Sequence, residues 1–288
     1  MTAASAGVTS MDRRERSLIH SAESAACALR SADGAALAAE WIKLRSLRSM
    51  LVTPALAAVV CVGYADYLCW RYTQRWHTFD AASKAGFQPL DVNFNVLVIG
   101  VLFFGVLGAL VVTNEYGNGL IRATLAATPQ RGLILAAKTA LVVLIALLSS
   151  AVSCFALFLT GQGILAGHVP HVTLADPGVL GRVLGAIFYL TAASLIGLFI
   201  GVIARSAAVA MTCVFGVFLV LPALLNSLNG GAWRHTVPYL PSNLGDALWL
   251  SHTGTGSLAS PTVAALGLVA WVIVLGVLAT YSLRRRDA

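Results

Sequence analysis

The chain has 288 residues, of which 58% are hydrophobic and 11% charged, with a mean hydropathy of +0.82. Roughly a quarter of the residues of a soluble globular domain are charged, so this composition excludes a soluble enzyme or binding module and indicates an integral membrane protein. The formal charge of +7 does not point to nucleic acid, since the basic residues have no soluble domain to form a groove on; membrane topology and anionic headgroups account for it.

Residues 1–36 are rich in Ala and Ser and carry scattered charges, with no compact apolar region ahead of a small-residue cleavage site. They read as a disordered cytoplasmic tail, and residues 37–288 as the membrane domain. From Leu37 to Arg48 the spacing is helical, with Trp41 among Lys43, Arg45 and Arg48. An aromatic at the edge of a basic, partly apolar helix suits the headgroup region, so an interfacial elbow helix is expected here.

A span needs about 20 mainly apolar residues to cross a hydrocarbon core of about 30 Å. Six stretches qualify: 50–70, 94–113, 133–160, 179–203, 207–228 and 262–282. The expected fold is therefore all-α, with six membrane-spanning helices. Asp66 is the one acid expected within a span, close to its outer end, with Arg182 as a possible partner. The third stretch exceeds one crossing and should tilt or extend its Lys138 end out of the membrane. The fourth and fifth are separated only by Ala204, Arg205 and Ser206, which requires a tight hairpin. Gly105, Gly108, Gly197, Gly201 and Gly216 are expected to mark close helix contacts. Phe94, Phe103, Phe104, Phe215 and Phe218 are candidates for an apolar path, with a packed core as the plainer expectation.

Between the second and third spans lies NEYGNGLIRATLAATPQRGLILAAK, Asn114 to Lys138. Glu115 leaves the membrane beside basic partners in Arg122, Arg131 and Lys138. Gly117 and Gly119 permit a turn, and Pro129 ends any helix built on Thr124 to Thr128. A short, stiff helix between two turns is expected. Further on, His168 and His171 flank Pro170, too few ligands for a closed metal site. In the stretch 229–261, Trp233, Tyr239 and Trp249 are expected to anchor depth at the interface.

Lys and Arg are retained on the cytoplasmic side. With the N-terminus inside, fourteen of the nineteen basic residues lie in inner segments, and Arg71, Arg75, Lys84, Arg182 and Arg234 lie outside. Both termini are then cytoplasmic.

The hinge resembles the first cytoplasmic loop of the bacterial type-2 ATP-binding-cassette (ABC) permeases, at Glu115, Gly119, Arg122, Leu125, Pro129, Arg131 and Lys138. The entry at Trp41, Lys43 and Arg45, the turn Tyr239-Leu240-Pro241-Ser242 and the ending Leu283 to Asp287 are similar to the same family. The resemblance implies a coupling helix in the hinge that docks on a separate ATP-hydrolysing subunit. It also implies pairing with a second permease copy or a related permease, a path between the second and fifth spans, a bacterial plasma-membrane location, and short outward helices near Ser242 to Leu250 forming an external gate. No G-x-x-x-x-G-K-[ST] loop occurs in the sequence, so ATP and Mg are expected on the partner and no cofactor, metal or catalytic residue in this chain. Membrane lipids are the remaining expected partner.

The expected function is an exporter of amphiphilic or apolar compounds, because charges are lacking at the span centres. An ion-coupled secondary transporter would need acidic residues at the bilayer midplane and interrupted helices related by repeats, and offers only Asp66. A non-transporting membrane scaffold is the other alternative. An intramembrane hydrolase lacks a histidine within any span and a G-x-S-x-G nucleophile.

Overall fold

The structure, a computed structural model, describes residues 52–117, 131–227, 236–250 and 260–286. Every regular element among them is helical. Six helices are long and apolar enough to cross a membrane: Val52–Thr78, Leu97–Asn114, Leu135–Leu165, Val179–Ala204, Ala207–Leu225 and Pro261–Leu283.

The fourth span is the axis of the bundle. Its most apolar window is 78% buried, against 17% for the sixth span and 22% for the fifth, so the peripheral spans present apolar side chains outward. The second span packs along it through small residues. A Cβ on Gly197 would run into the Gly105 carbonyl, one on Gly108 into the Ser194 carbonyl, and one on Gly201 would lie 2.9 Å from the Ala109 oxygen. Backbones this close gain dispersion contacts that larger side chains would forbid, which is how helices associate where lipid and side chain are equally apolar. Gly216 differs from expectation, with nothing within 4 Å of its Cβ position. The third span adds polar contacts: Ser150 Oγ lies 3.3 Å from Thr191 Oγ1 and 3.4 Å from the Ile187 oxygen.

Two spans depart from the expected boundaries, another is longer than one crossing as expected, and another carries an irregular turn. The first span runs on past 70 through a final 3-10 turn, Trp76–Thr78, where Tyr72, Trp76, Phe79 and Phe87 pack edge to face or tilted at 5.0–5.9 Å between ring centroids. The second span begins at Leu97, not Phe94, because Pro89 opens a separate helix, Pro89–Phe94, that ends in a turn. The third helix, Arg131–Leu165, has 35 residues; at 1.5 Å each it is about 50 Å long and outruns the hydrocarbon core by about 20 Å. The fifth span contains a π turn, Gly216–Val220, in which the Leu221 amide donates to the Gly216 oxygen. Pro222 follows at once and has no amide to give the Phe218 carbonyl, so widening the preceding turn removes the clash its ring would make there.

The hairpin between spans four and five is as tight as expected. Arg205 takes the left-handed conformation, φ 56°, and its amide donates to the Gly201 oxygen at 2.9 Å; Ser206 is extended and starts the next helix. This is the one left-handed non-glycine among the described residues.

Candidate functional site

The connections between spans one and two, three and four, and five and six lie at one end of the bundle. Pro89–Phe94 is clamped there to the third and fourth spans. Asn93 is fully buried, donates from Nδ2 to the Leu157 oxygen at 3.0 Å, and sits where Gly161 leaves room for it. Gln162 accepts from the Val172 amide at 3.0 Å and reaches the Pro89 oxygen at 3.5 Å, tying the clamp to the loop after the third span. Arg182 pairs with Asp91, not Asp66, at 3.4 Å. Both side chains keep about a quarter of their surface exposed, so this bond contributes under about 1 kcal/mol and orients more than it stabilises. Asp66 is half-buried in the first span, and its Oδ1 has no hydrogen-bond partner.

Within the same end, a second short helix is driven into the bundle. Leu240 is extended, Pro241 supplies the fixed φ of a first helical position, and Pro241–Trp249 follows. This wedge helix buries Pro241, Ser242, Leu244, Gly245, Ala247, Leu248 and Trp249. Three glycines seat it. A Cβ on Gly245 would strike the Tyr189 ring of span four, one on Gly185 of span four would lie 2.8 Å from the Leu248 oxygen, and one on Gly267 of span six 2.8 Å from Leu244 Cδ1. Tyr189 in turn meets Phe218 of the π turn edge-on at 6.4 Å, so the wedge, span four and the distorted stretch of span five form one contact set. Trp271 of span six donates from Nε1 to the Tyr239 oxygen at 3.0 Å and closes the turn that leads into the wedge. Beside that bond lies an apolar groove of about 310 Å3 lined by Tyr239, Leu244, Gly267, Ala270, Trp271 and Val274.

The wedge helix occupies the segment where the resemblance implied an outward helix. Its aromatics divide: Tyr239 is 57% exposed, as an interfacial anchor would be, whereas Trp249 is 1% exposed and belongs to the core, against expectation. The reason is amphipathicity, since Trp249 falls on the inward face of a helix that the Pro-rich sequence disguises as a loop. Phe94, Phe104 and Phe218 are buried, Phe103 is partly buried, and Phe215 is 42% exposed on the periphery.

Sequence reasoning did not single out Asp246. Burial pushes its carboxyl up to about 6, partly offset by the nearby Trp249 indole, which makes no hydrogen bond of ordinary geometry. The available signal was the i, i+4, i+7 spacing of Ser242, Asp246 and Trp249. Asp80 behaves oppositely: its hydrogen bonds with Ser83, at the start of an exposed helix, hold it below the usual range.

At the other end of the bundle the helices carry the hinge. Glu115 falls in the last turn of the helix Leu97–Gly117 and Arg131 opens the helix Arg131–Leu165, while Lys138 is half-buried two turns further on. The structure therefore mounts the hinge on the ends of two spans. Gly119, Arg122, Leu125 and Pro129, the coupling helix, and the elbow residues Trp41, Lys43, Arg45 and Arg48 lie outside the described residues, as do the tail and the side chains of Glu115 and Arg131. At the C-terminal end the last helix runs to Arg286, with Arg285 over the Tyr281 ring at 4.7 Å.

Comparison with curated proteins gives no match. Residues 36–223 match the family described as ABC-2 family transporter protein, a stretch running from the expected elbow into the fifth span. With six helices long and apolar enough to cross a bilayer, the chain is a multi-pass membrane protein and belongs to the ABC-2 transporter family as a permease.

Proposed function

We propose that this chain is the membrane subunit of an ATP-driven exporter of amphiphilic or apolar compounds, resident in a bacterial plasma membrane with both termini in the cytoplasm. The observation that supports this reading is the family match across residues 36–223, a range that includes the residues of the expected elbow and hinge. ATP and Mg would bind a separate ATP-binding subunit. Its closure would press on the hinge at Glu115, Gly119, Arg122, Pro129, Arg131 and Lys138, and on the elbow at Trp41, Lys43, Arg45 and Arg48. A second permease copy or a related permease would complete the path, with the wedge helix as part of the outer gate. Export of amphiphilic cargo is favoured by the apolar spans, in which Asp66 is the acid and is peripheral to the central packing of spans two and four.

The test is co-purification of the tagged chain with its cognate ATP-binding subunit, compared with Glu115→Lys and Arg122→Glu. Reversing a charge within a desolvated docking surface costs roughly 2–5 kcal/mol, so recovery of the partner should fall roughly tenfold or more. Undiminished recovery with both variants would remove these residues from the docking surface.

A further inference from the structure

The wedge helix carries an unfinished polar face. Ser242, Asp246 and Trp249 stand at i, i+4 and i+7 and so share one side of the helix. Ser242 is 8% exposed and Trp249 1%, yet the Ser242 hydroxyl has no hydrogen-bond partner and the Trp249 indole N–H makes no bond of ordinary geometry. Buried polar groups are almost always satisfied, because each one left unpaired costs about 1–3 kcal/mol. Here two such groups flank a half-buried carboxyl within one helical turn on either side.

Among the described residues, the surroundings supply no counter-charge. From span four the titratable group facing Asp246 is Tyr189, whose ring seats against Gly245. The π turn Gly216–Val220 contributes apolar side chains. Span six meets the wedge through Gly267, and the 3-10 turn contributes Tyr239, mostly exposed with its carbonyl bound to Trp271. Among the described residues no Lys, Arg or His acts on the Asp246 carboxyl. A carboxylate in this position would lose hydration with only the Trp249 indole in partial exchange, whereas a carboxylic acid would lose far less.

We propose that the Ser242, Asp246 and Trp249 face of the wedge helix is a proton-binding latch: a proton on the Asp246 carboxyl seats the helix between spans four and six, and loss of that proton to solvent at the loop-rich end releases it. On ionisation the carboxylate must take up water, which requires the helix to turn or lift from Tyr189; the same movement hydrates the Ser242 hydroxyl and the Trp249 indole, whose burial makes the seat costly. The sign follows from linkage. The seated state holds the proton more tightly than a solvated aspartate does, so seating is fully favoured below the ordinary carboxylate range and weakens as pH rises through about 6. The latch belongs to this chain alone and needs neither ATP nor a partner subunit, so its test is independent of the transport reading.

Two measurements on the full chain in nanodiscs, without nucleotide, decide it. Infrared titration of the unmodified chain should show a protonated-carboxyl band that survives above about pH 5, where ordinary Asp and Glu are ionised, and disappears with a midpoint near 6. Absence of such a band would overturn the proposal even if every Asp246 variant failed to fold. In a background without Cys27 and Cys213, an Ala247→Cys thiol in the buried wedge should react with a membrane-impermeant maleimide, relative to an exposed Tyr239→Cys thiol, roughly tenfold faster at about pH 7.5 than at about pH 5. Asp246→Asn, a neutral stand-in for the protonated acid, should hold labelling low and flat across that range. A flat profile with Asp246 present, or the same rise in the Asn variant, would contradict the latch.

Discussion

Gly197→Leu is expected to prevent the bundle from assembling. The Cβ of any residue at 197 would occupy the position of the Gly105 carbonyl, and Gly105 itself has Val214 against its own Cβ position. Neither backbone can retreat, because two further contacts along the same seam, Gly108 on Ser194 and Gly201 on Ala109, hold spans two and four at that separation. Overpacking a rigid core costs about 1–3 kcal/mol per site, and an intrusion into backbone on the bundle axis belongs at or beyond the top of that range. Thermal melting and size exclusion in detergent should show aggregated or poorly recovered Gly197→Leu. Gly63→Leu, whose Cβ position has nothing within 4 Å, should behave as the unmodified chain. A well-folded Gly197→Leu with an unchanged melting temperature would mean that the two spans are not packed as described.

Gly245→Leu should separate the wedge from the bundle without dissolving the bundle. A side chain at 245 must displace the Tyr189 ring, which is 2% exposed and backed by Phe218. The wedge has only nine residues, Pro241–Trp249, and two of its other seats depend on glycine as well. Its cheapest escape is to lift away, giving up Trp249 burial, a loss of about 3–5 kcal/mol by analogy with truncating a buried Trp. The expected result is fast maleimide labelling of Ala247→Cys at acidic as well as neutral pH, in a protein that still elutes as a folded bundle. Slow labelling in Gly245→Leu would show that the wedge accommodates a side chain and is not seated on Tyr189.

These two outcomes mark where the sequence was legible. Six spans can be read because a bilayer imposes one requirement, about 20 apolar residues in a row, and composition alone reports it. The seam glycines Gly105, Gly108, Gly197 and Gly201 can be read because small residues in an apolar helix have few other uses. The wedge was legible only as a Pro-bounded segment. Its burial depends on Gly185 and Gly267, which lie in other spans and carry no local mark of their partner. The clamp helix was hidden for the same reason: Asn93 looks like a loop residue until Leu157 and Gly161 of the third span come to meet it. The π turn follows from Pro222, whose effect on the preceding turn is local and was available in principle. Asp66 and Arg182 show the limit of pairing charges by eye, since the acid that Arg182 meets, Asp91, comes from a short helix in the stretch between the first two expected spans. The hinge rests on motif resemblance; the structure adds the two helix ends that carry it.

The measurement that bears most directly on the transport account is ATP hydrolysis by the chain co-reconstituted with its cognate ATP-binding subunit, against each protein alone. The account predicts vanadate-sensitive hydrolysis that requires both and is lost with Arg122→Glu. Hydrolysis by the ATP-binding subunit that is indifferent to this chain would contradict it.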